Sequence, residues 1–96
     1  MQLGPVITMF GRTRYCPDVT RARTRLAEHG LTWIEHDVEA DPSAAERMRA
    51  LTGRSNVPTL LIGEAVLVEP SVAAIDATLD AAGLLHDQGT ARIEPS

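Results

Sequence analysis

The stretch Arg14-Tyr15-Cys16-Pro17-Asp18-Val19 stands where a short apolar run gives way to an amphipathic one. Val6 to Phe10 predicts a strand, and apolar residues at helical spacing after Pro17 predict a helix that has proline at its favoured first position. Cys16 therefore falls at the N-cap of this helix, where we expect an exposed side chain. Because a helix N-terminus carries a partial positive charge that favours a thiolate, Cys16 is a candidate nucleophile.

Cys16 is also the only cysteine of the chain. A second thiol in Cys-x-x-Cys spacing would stand at the position of Val19, so no disulfide can form within the chain. Thiol exchange at Cys16 must use a sulfur from a small molecule or from another protein. The alternative is that Cys16 is a small buried hydrophobe, as free cysteines often are. The neighbouring Arg12, Arg14 and Tyr15 argue against that alternative, because they are not core residues.

Composition limits the protein to one small domain. Its 96 residues suffice for a single modest core, and 44% apolar with 23% charged residues is typical of a soluble globular protein. No run approaches the ~20 apolar residues of a membrane span, and the start lacks the features of a signal peptide, which predicts a cytoplasmic location and no membrane partner. We expect one domain over residues 1–85 and a flexible tail over residues 86–96.

Charge is unevenly distributed along the chain. The net charge of −4 argues against a nucleic-acid partner, because such domains normally carry a basic patch. Residues 1–34 nevertheless hold five arginines against two acidic residues, whereas residues 35–96 hold four arginines against eleven acidic residues. The positive part surrounds Cys16, where we expect Arg12 and Arg14 to favour a thiolate and to attract an anionic ligand.

No metal site is predicted. Cysteine and histidine do not occur in zinc-finger spacing. Four acidic residues alternate along a predicted strand and its exit, which spreads their carboxylates: Glu35, Asp37, Glu39 and Asp41. They indicate neither a paired acid and base nor a metal cage.

Proline and glycine mark the ends of three predicted helices, which run from Pro17 to Gly30, from Pro42 to Gly53 and from Pro70 to Gly83. Between them lie four β-rich runs: Val6 to Phe10, Leu31 to Val38, Pro58 to Ile62 and Val66 to Val68. Gly63-Glu64 suits a type II′ hairpin turn, and the helix between the first two strands predicts that they are parallel. The fold class is therefore α/β, in the order β-α-β-α-β-β-α, with helices covering a mixed four-stranded sheet.

This order, together with three stretches of sequence, resembles the glutaredoxins of the thioredoxin superfamily. The stretches are Met9-Phe10-Gly11-Arg12-Thr13-Arg14-Tyr15-Cys16-Pro17-Asp18, Thr52-Gly53-Arg54-Ser55-Asn56-Val57-Pro58-Thr59 and Val68-Glu69-Pro70-Ser71. The likeness covers about residues 6–85 and implies a thioredoxin fold. It extends to small bacterial glutaredoxin-like and mycoredoxin-like proteins, whose site is typically Cys-Pro-Asp-Cys. Here Val19 replaces the second cysteine, and the Cys-Gly-Phe-Ser site of cluster-carrying monothiol glutaredoxins is also not matched.

The resemblance implies how a ligand would be held. In the family the Val-Pro peptide is cis and the residue before proline pairs with the substrate through its backbone, and Val57 and Pro58 match these positions. The implied substrate-binding residues are Arg12, Arg14, Tyr15, Pro17, Arg54, Val57, Pro58, Ser71 and Val72.

Five of these residues, in three places, would hold the charged groups of the ligand. Arg54 stands where the family has a long polar or basic side chain, and Arg12 or Arg14 supplies the basic residue upstream of the cysteine. Ser71 and Val72 open the third helix, whose N-terminal N–H groups bind carboxylates. For Ser71 an ordinary helix cap is the alternative.

The implied activity is that of a thiol–disulfide oxidoreductase in which catalytic Cys16 acts by a monothiol route. Its co-substrate would be a low-molecular-weight thiol (glutathione, mycothiol or bacillithiol), and its partners would be thiolated protein clients. Two alternatives stay open: a redox-inactive binding module that keeps the docking groove, and a dimeric iron–sulfur carrier with one Cys16 from each protomer and two external thiols. We expect a monomer that a Cys16–Cys16 disulfide can link into a dimer.

Overall fold

The computed structural model describes residues 6–85, which adopt the order of elements predicted from the sequence. The elements are β1 (Ile7–Gly11), α1 (Pro17–Glu28), β2 (Ile34–Asp37), α2 (Pro42–Thr52), β3 (Thr59–Ile62), β4 (Ala65–Val68) and α3 (Val72–Ala81). The strands form one sheet in the order β2-β1-β3-β4. The prediction of an α/β thioredoxin fold is confirmed, and the predicted tail, 86–96, lies outside the described residues. No helix in the described range is long and apolar enough to cross a membrane.

The sheet has the mixed pairing that the connections predict. β1 runs parallel to β2 and antiparallel to β3, and β3 runs antiparallel to β4. In the turn between β3 and β4, Gly63 has a φ of +59°. Glu69 is the one non-glycine residue among 6–85 with a positive φ, so Glu64 keeps a negative φ. A positive φ at the first central residue alone is the pattern of the predicted type II′ turn.

Alternating side chains of β1 divide the apolar core between the two faces of the sheet. Ile7 and Met9 pack into a cluster with residues of α1 and α3, whereas Phe10 packs against Met48 of α2. Each of these four side chains is at most 2% exposed. Helices α1 and α3 therefore share one face of the sheet, and α2 covers the other.

Charged contacts through Asp76 connect α3 to the last turn of α1. Arg25 donates from Nε and Nη2 to the two carboxylate oxygens of Asp76 at 2.8 and 2.7 Å, and His29 Nε2 lies 2.9 Å from Asp76 Oδ1. Hydrogen bonds from Arg25, and then from His29, lower the pKa of Asp76 from 3.8 to about 2. This cluster fixes the two helices on the face that also carries Cys16.

The second strand is shorter than predicted, because it begins at Ile34 and not at Leu31. Gly30 adopts a left-handed φ of +73°, and the N–H of Leu31 donates to the carbonyl of Leu26 at 3.1 Å. These are the features of a glycine-terminated helix end. The chain after Gly30 therefore first closes α1 and only then enters the sheet.

Candidate functional site

Cys16 is the N-cap residue of α1, as predicted, with an extended backbone (φ −149°, ψ 118°) and Pro17 beginning the helix. Its carbonyl accepts a hydrogen bond from Thr20 N at 2.9 Å. The prediction of an exposed cap is wrong, since Cys16 is only 7% exposed and belongs to the core cluster of α1 and α3. The reason is spacing: Cys16 stands three residues before buried Val19, so its side chain extends the apolar face of the helix.

The position of a second thiol is filled by Val19, which is fully buried. Val19 packs closely against Gly11 at the end of β1. A Cβ added to Gly11 would lie only 3.2 Å from Val19 Cγ1 and 3.3 Å from Glu35 Oε2. Glycine at position 11 is therefore what allows α1 to pack against the end of the strand. With Cys16 as the only cysteine of the chain, the site holds one thiol.

The loop before Cys16 carries two predicted ligand-binding arginines, and both contact Glu39. Arg14 donates from Nε to Glu39 Oε1 at 2.9 Å and from Nη2 to Oε2 at 2.7 Å. Arg12 Nη1 lies 3.7 Å from the same Oε2. The hydrogen bond with Arg14 lowers the pKa of the Glu39 carboxyl and raises that of the Arg14 guanidinium. Carboxylates of the acidic segment therefore lie against both arginines, which a charge count along the chain does not show.

A second carboxylate of the same segment fixes the loop itself. Asp37 Oδ2 accepts hydrogen bonds from Thr13 N at 3.0 Å and Thr13 Oγ1 at 2.5 Å. Its Oδ1 accepts from the backbone N–H groups of Glu39 at 2.8 Å and Ala40 at 3.1 Å. The hydrogen bond from the Thr13 side chain is the main reason that the pKa of Asp37 falls to about 2. The carboxylate is thus charged across the ordinary pH range.

Sequence reasoning missed Asp37 and Glu39 as parts of the site. The signal that could have found them is the predicted parallel pairing, which brings Gly11 opposite Asp37. The ends of two parallel strands meet at one edge of a sheet, so the exit of β2 must lie beside the loop that leaves β1. The N–H of Val38 donates to the carbonyl of Gly11 at 3.0 Å and extends this pairing by one residue.

The Val57–Pro58 peptide is cis, as the resemblance implied. Val57 is half-buried and packs against both core clusters, including the one that contains Cys16. Neither backbone polar group of Val57 has a hydrogen-bond partner within residues 6–85. The residues before and after Val57 are both held by hydrogen bonds. Thr59 Oγ1 donates to the carbonyl of Asn56 at 3.0 Å, and Glu69 N donates to the carbonyl of Pro58 at 2.8 Å.

The other predicted ligand residues are less closely connected. Arg54 follows the C-terminal end of α2 and is exposed. Its backbone N–H donates to Thr52 Oγ1 at 2.9 Å, whereas its guanidinium makes no ion pair or hydrogen bond with another described residue. Ser71 is the N-cap of α3, which begins at Val72 and not at Pro70 as predicted. Ser71 Oγ accepts from Ala74 N at 3.1 Å, so its hydroxyl serves as a helix cap. Val72 is half-buried at the first position of the helix.

Tyr15 and Pro17 frame Cys16 in the chain and are both exposed. Tyr15 is 77% exposed, the highest value among the large apolar residues that the structure describes as exposed. Between residues 6 and 85 no three His, Cys, Asp or Glu side chains lie close enough together to hold a metal ion. This arrangement therefore offers one thiol at a helix N-terminus, with an exposed aromatic ring beside it in the chain. The unpaired segment at Val57 packs against the same core cluster.

Comparison with known protein families shows the family to which the chain belongs. The family model described as Glutaredoxin matches residues 6–67, which is more than half of the chain. The protein belongs to the glutaredoxin family, and this membership supports a function of the thiol–disulfide oxidoreductase type. A search of curated protein sequences finds no match.

Solved structures agree with the family and the fold. A glutaredoxin from Brucella melitensis is 26% identical, with a TM-score of 0.63 over 84% of this chain and 88% of that one. The glutaredoxin grx-1 from Archaeoglobus fulgidus is 15% identical, with a TM-score of 0.70 over 78% of this chain and 86% of that one. A buckwheat glutaredoxin in complex with glutathione is 17% identical, with a TM-score of 0.61 over 83% and 72% of the two chains. The last two likenesses show the fold alone.

Proposed function

We propose that the protein is a monothiol oxidoreductase that acts on mixed disulfides between proteins and a low-molecular-weight thiol. The Cys16 thiolate attacks the sulfur of the small thiol, forms a disulfide with it, and releases the protein client as a thiolate. A second molecule of the small thiol then attacks this adduct, so that the two small thiols leave as a disulfide and the Cys16 thiolate is regenerated. Sulfur and electrons balance without a second protein thiol.

The single observation that carries this proposal is the position of the only thiol of the chain. Cys16 caps α1 and Val19 fills the place of a resolving thiol, so an adduct at Cys16 has no partner within the protein. The unpaired backbone of Val57 supports docking of an extended ligand, because such a segment can pair with it as an added strand does. The exposed ring of Tyr15 offers apolar surface to a client beside Cys16.

The remaining ligand contacts follow the family pattern and complete the proposal. Arg54, together with Arg12 or Arg14, would bind carboxylates of the small thiol, and the N–H groups that begin α3 at Ser71 and Val72 would bind another. Pro17 and Pro58 would border the docked sulfur. The buckwheat relative was solved with glutathione, which makes glutathione the first thiol to test, before mycothiol and bacillithiol. We place the protein in the cytoplasm as a monomer.

The test is a single-turnover reaction with a glutathionylated peptide. Wild-type protein should release the free peptide and gain one glutathione on Cys16, read by intact mass, whereas Cys16→Ser should do neither. Insulin, whose disulfides join protein segments, should be reduced poorly. A wild type that leaves the peptide thiolated, although iodoacetamide still labels Cys16, would refute the oxidoreductase.

The burial of Cys16 favours a redox-inactive binding module as the second candidate, because a thiol that is 7% exposed offers little surface for attack. The same experiment separates the two, since a binding module binds the small-thiol ligand without forming an adduct. The iron–sulfur carrier has its own readout: anaerobically purified protein would be coloured, absorb in the visible range and run as a dimer.

A further inference from the structure

The carboxylate of Glu39 contacts both arginines that the proposed function assigns to an anionic ligand. Its two oxygens accept from Nε and Nη2 of Arg14, so one complete edge of that guanidinium is already bonded to a carboxylate. A carboxylate is the natural partner of this edge, because two parallel N–H groups match its two oxygens. An acidic ligand that approaches Arg14 along this edge must therefore replace Glu39.

Arg12 is held by the same group. Its Nη1 lies 3.7 Å from Glu39 Oε2, the oxygen that also accepts from Arg14, so one carboxylate bridges two guanidinium groups. The Nε of Arg12 is buried and is the one buried side-chain nitrogen or oxygen of residues 6–85 without a hydrogen-bond partner. Glu39 thus binds the two arginines incompletely, and its side chain remains 39% exposed.

The charges of four residues at this loop and the exit of β2 sum to zero. Arg12 and Arg14 contribute two positive charges, whereas Glu39 and Asp37 contribute two negative ones, and Asp37 is bonded to Thr13 between the arginines. The lowered pKa of each carboxyl keeps both charged at neutral pH. A ligand carboxylate bound here is attracted by the two arginines but repelled by the two carboxylates that already lie beside them.

We propose that Glu39 is a specificity-determining residue that competes with ligand carboxylates for Arg12 and Arg14, so that carboxylate-bearing thiols bind more weakly than they would to the two arginines alone. The inference rests on the proposed function, whose ligand site it refines. It concerns binding of the ligand and not the chemistry at Cys16. Glu39 therefore acts by repulsion and by occupying the arginines, which are two means by which a site rejects a near-matching ligand.

The test measures binding with ligands that cannot exchange. S-methylglutathione carries two carboxylates, and its dimethyl ester carries none. Glu39→Gln keeps the shape of the side chain and removes its charge, while the matched control Glu64→Gln makes the same charge change in the exposed turn between β3 and β4. Dissociation constants for both ligands are measured by calorimetry with wild type and each variant, at low and at physiological salt.

Glu39→Gln should tighten binding of S-methylglutathione by about three- to tenfold at low salt, as expected for one charged contact near a surface, and less at higher salt. Binding of the dimethyl ester should be unchanged or weaker, and Glu64→Gln should alter neither. Equal tightening by Glu64→Gln, no tightening by Glu39→Gln, or no binding of either ligand to any variant would overturn the inference. Turnover of the glutathionylated peptide by wild type reports separately on the proposed function, which can therefore fail while Glu39 still controls binding.

Discussion

Replacing Val19 with cysteine should convert the single-thiol site into a dithiol site. The new thiol would have Cys-x-x-Cys spacing with Cys16, so oxidation should close an intramolecular disulfide and give the protein an insulin-reducing activity. Val19 is fully buried, and cysteine fills roughly one methyl group less, so the reduced variant should lose about 1 kcal/mol of unfolding free energy. In a domain of this size, that loss lowers the Tm by about 4–8 °C.

Two controls make this experiment decisive. Val19→Ala removes packing without adding a thiol, and Thr20→Cys adds an exposed thiol one residue outside the spacing. Thermal melting gives the Tm, intact mass reports the two hydrogens lost when a disulfide closes, and insulin reduction reports dithiol activity. The reasoning is refuted if oxidised Val19→Cys retains both thiols, or if Thr20→Cys reduces insulin equally well.

Three further predictions concern stability. The pKa of Asp76 is lowered to about 2, so its contribution to the free energy of unfolding is present above about pH 4 and is lost as the pH falls through 2. In urea unfolding, Asp76→Asn should therefore make stability less dependent on acid pH, whereas Asp80→Asn, at an exposed position, should not. Gly11→Ala should cost about 1–3 kcal/mol in the same assay, because its methyl group would crowd Val19, and an unchanged midpoint would contradict the close packing. Ser71→Ala should cost about 1 kcal/mol and Ser71→Asp much less, if the hydroxyl serves as a helix cap; equal losses would argue against the cap.

The element order follows from local features of the sequence. Proline begins α1 and α2, and glycine follows the ends of all three helices, where Gly30, Gly53 and Gly83 adopt positive φ. These signals act within a few residues, and so the helices and the hairpin turn at Gly63 could be predicted without knowledge of the fold. The main error concerned the start of the second strand. The apolar residues after Gly30 resemble a strand, but Leu31 donates a hydrogen bond to Leu26 and so completes the end of α1.

The candidate site was predicted in part. The single thiol, its helix-cap position and the Val57–Pro58 segment could be read from the sequence and its resemblance to the glutaredoxins. Whether Arg54, Ser71 and the other predicted residues bind a thiol stays a prediction. The exposure of Cys16 was predicted wrongly, because the flanking residues are polar while the helical spacing directs Cys16 toward Val19 and the core.

The sequence by itself thus determined that the site has one thiol, that it caps a helix and that no second cysteine can resolve an adduct. Only the tertiary structure decided the charge around that thiol. Arg14 and Glu39 are 25 residues apart, and parallel pairing of β1 with β2 brings them into contact. A charge count along the chain separates these residues into a positive and a negative segment, whereas the sheet brings opposite charges of the two segments into contact at one edge. Electrostatic interactions depend on distance in space, which periodicity and composition do not specify.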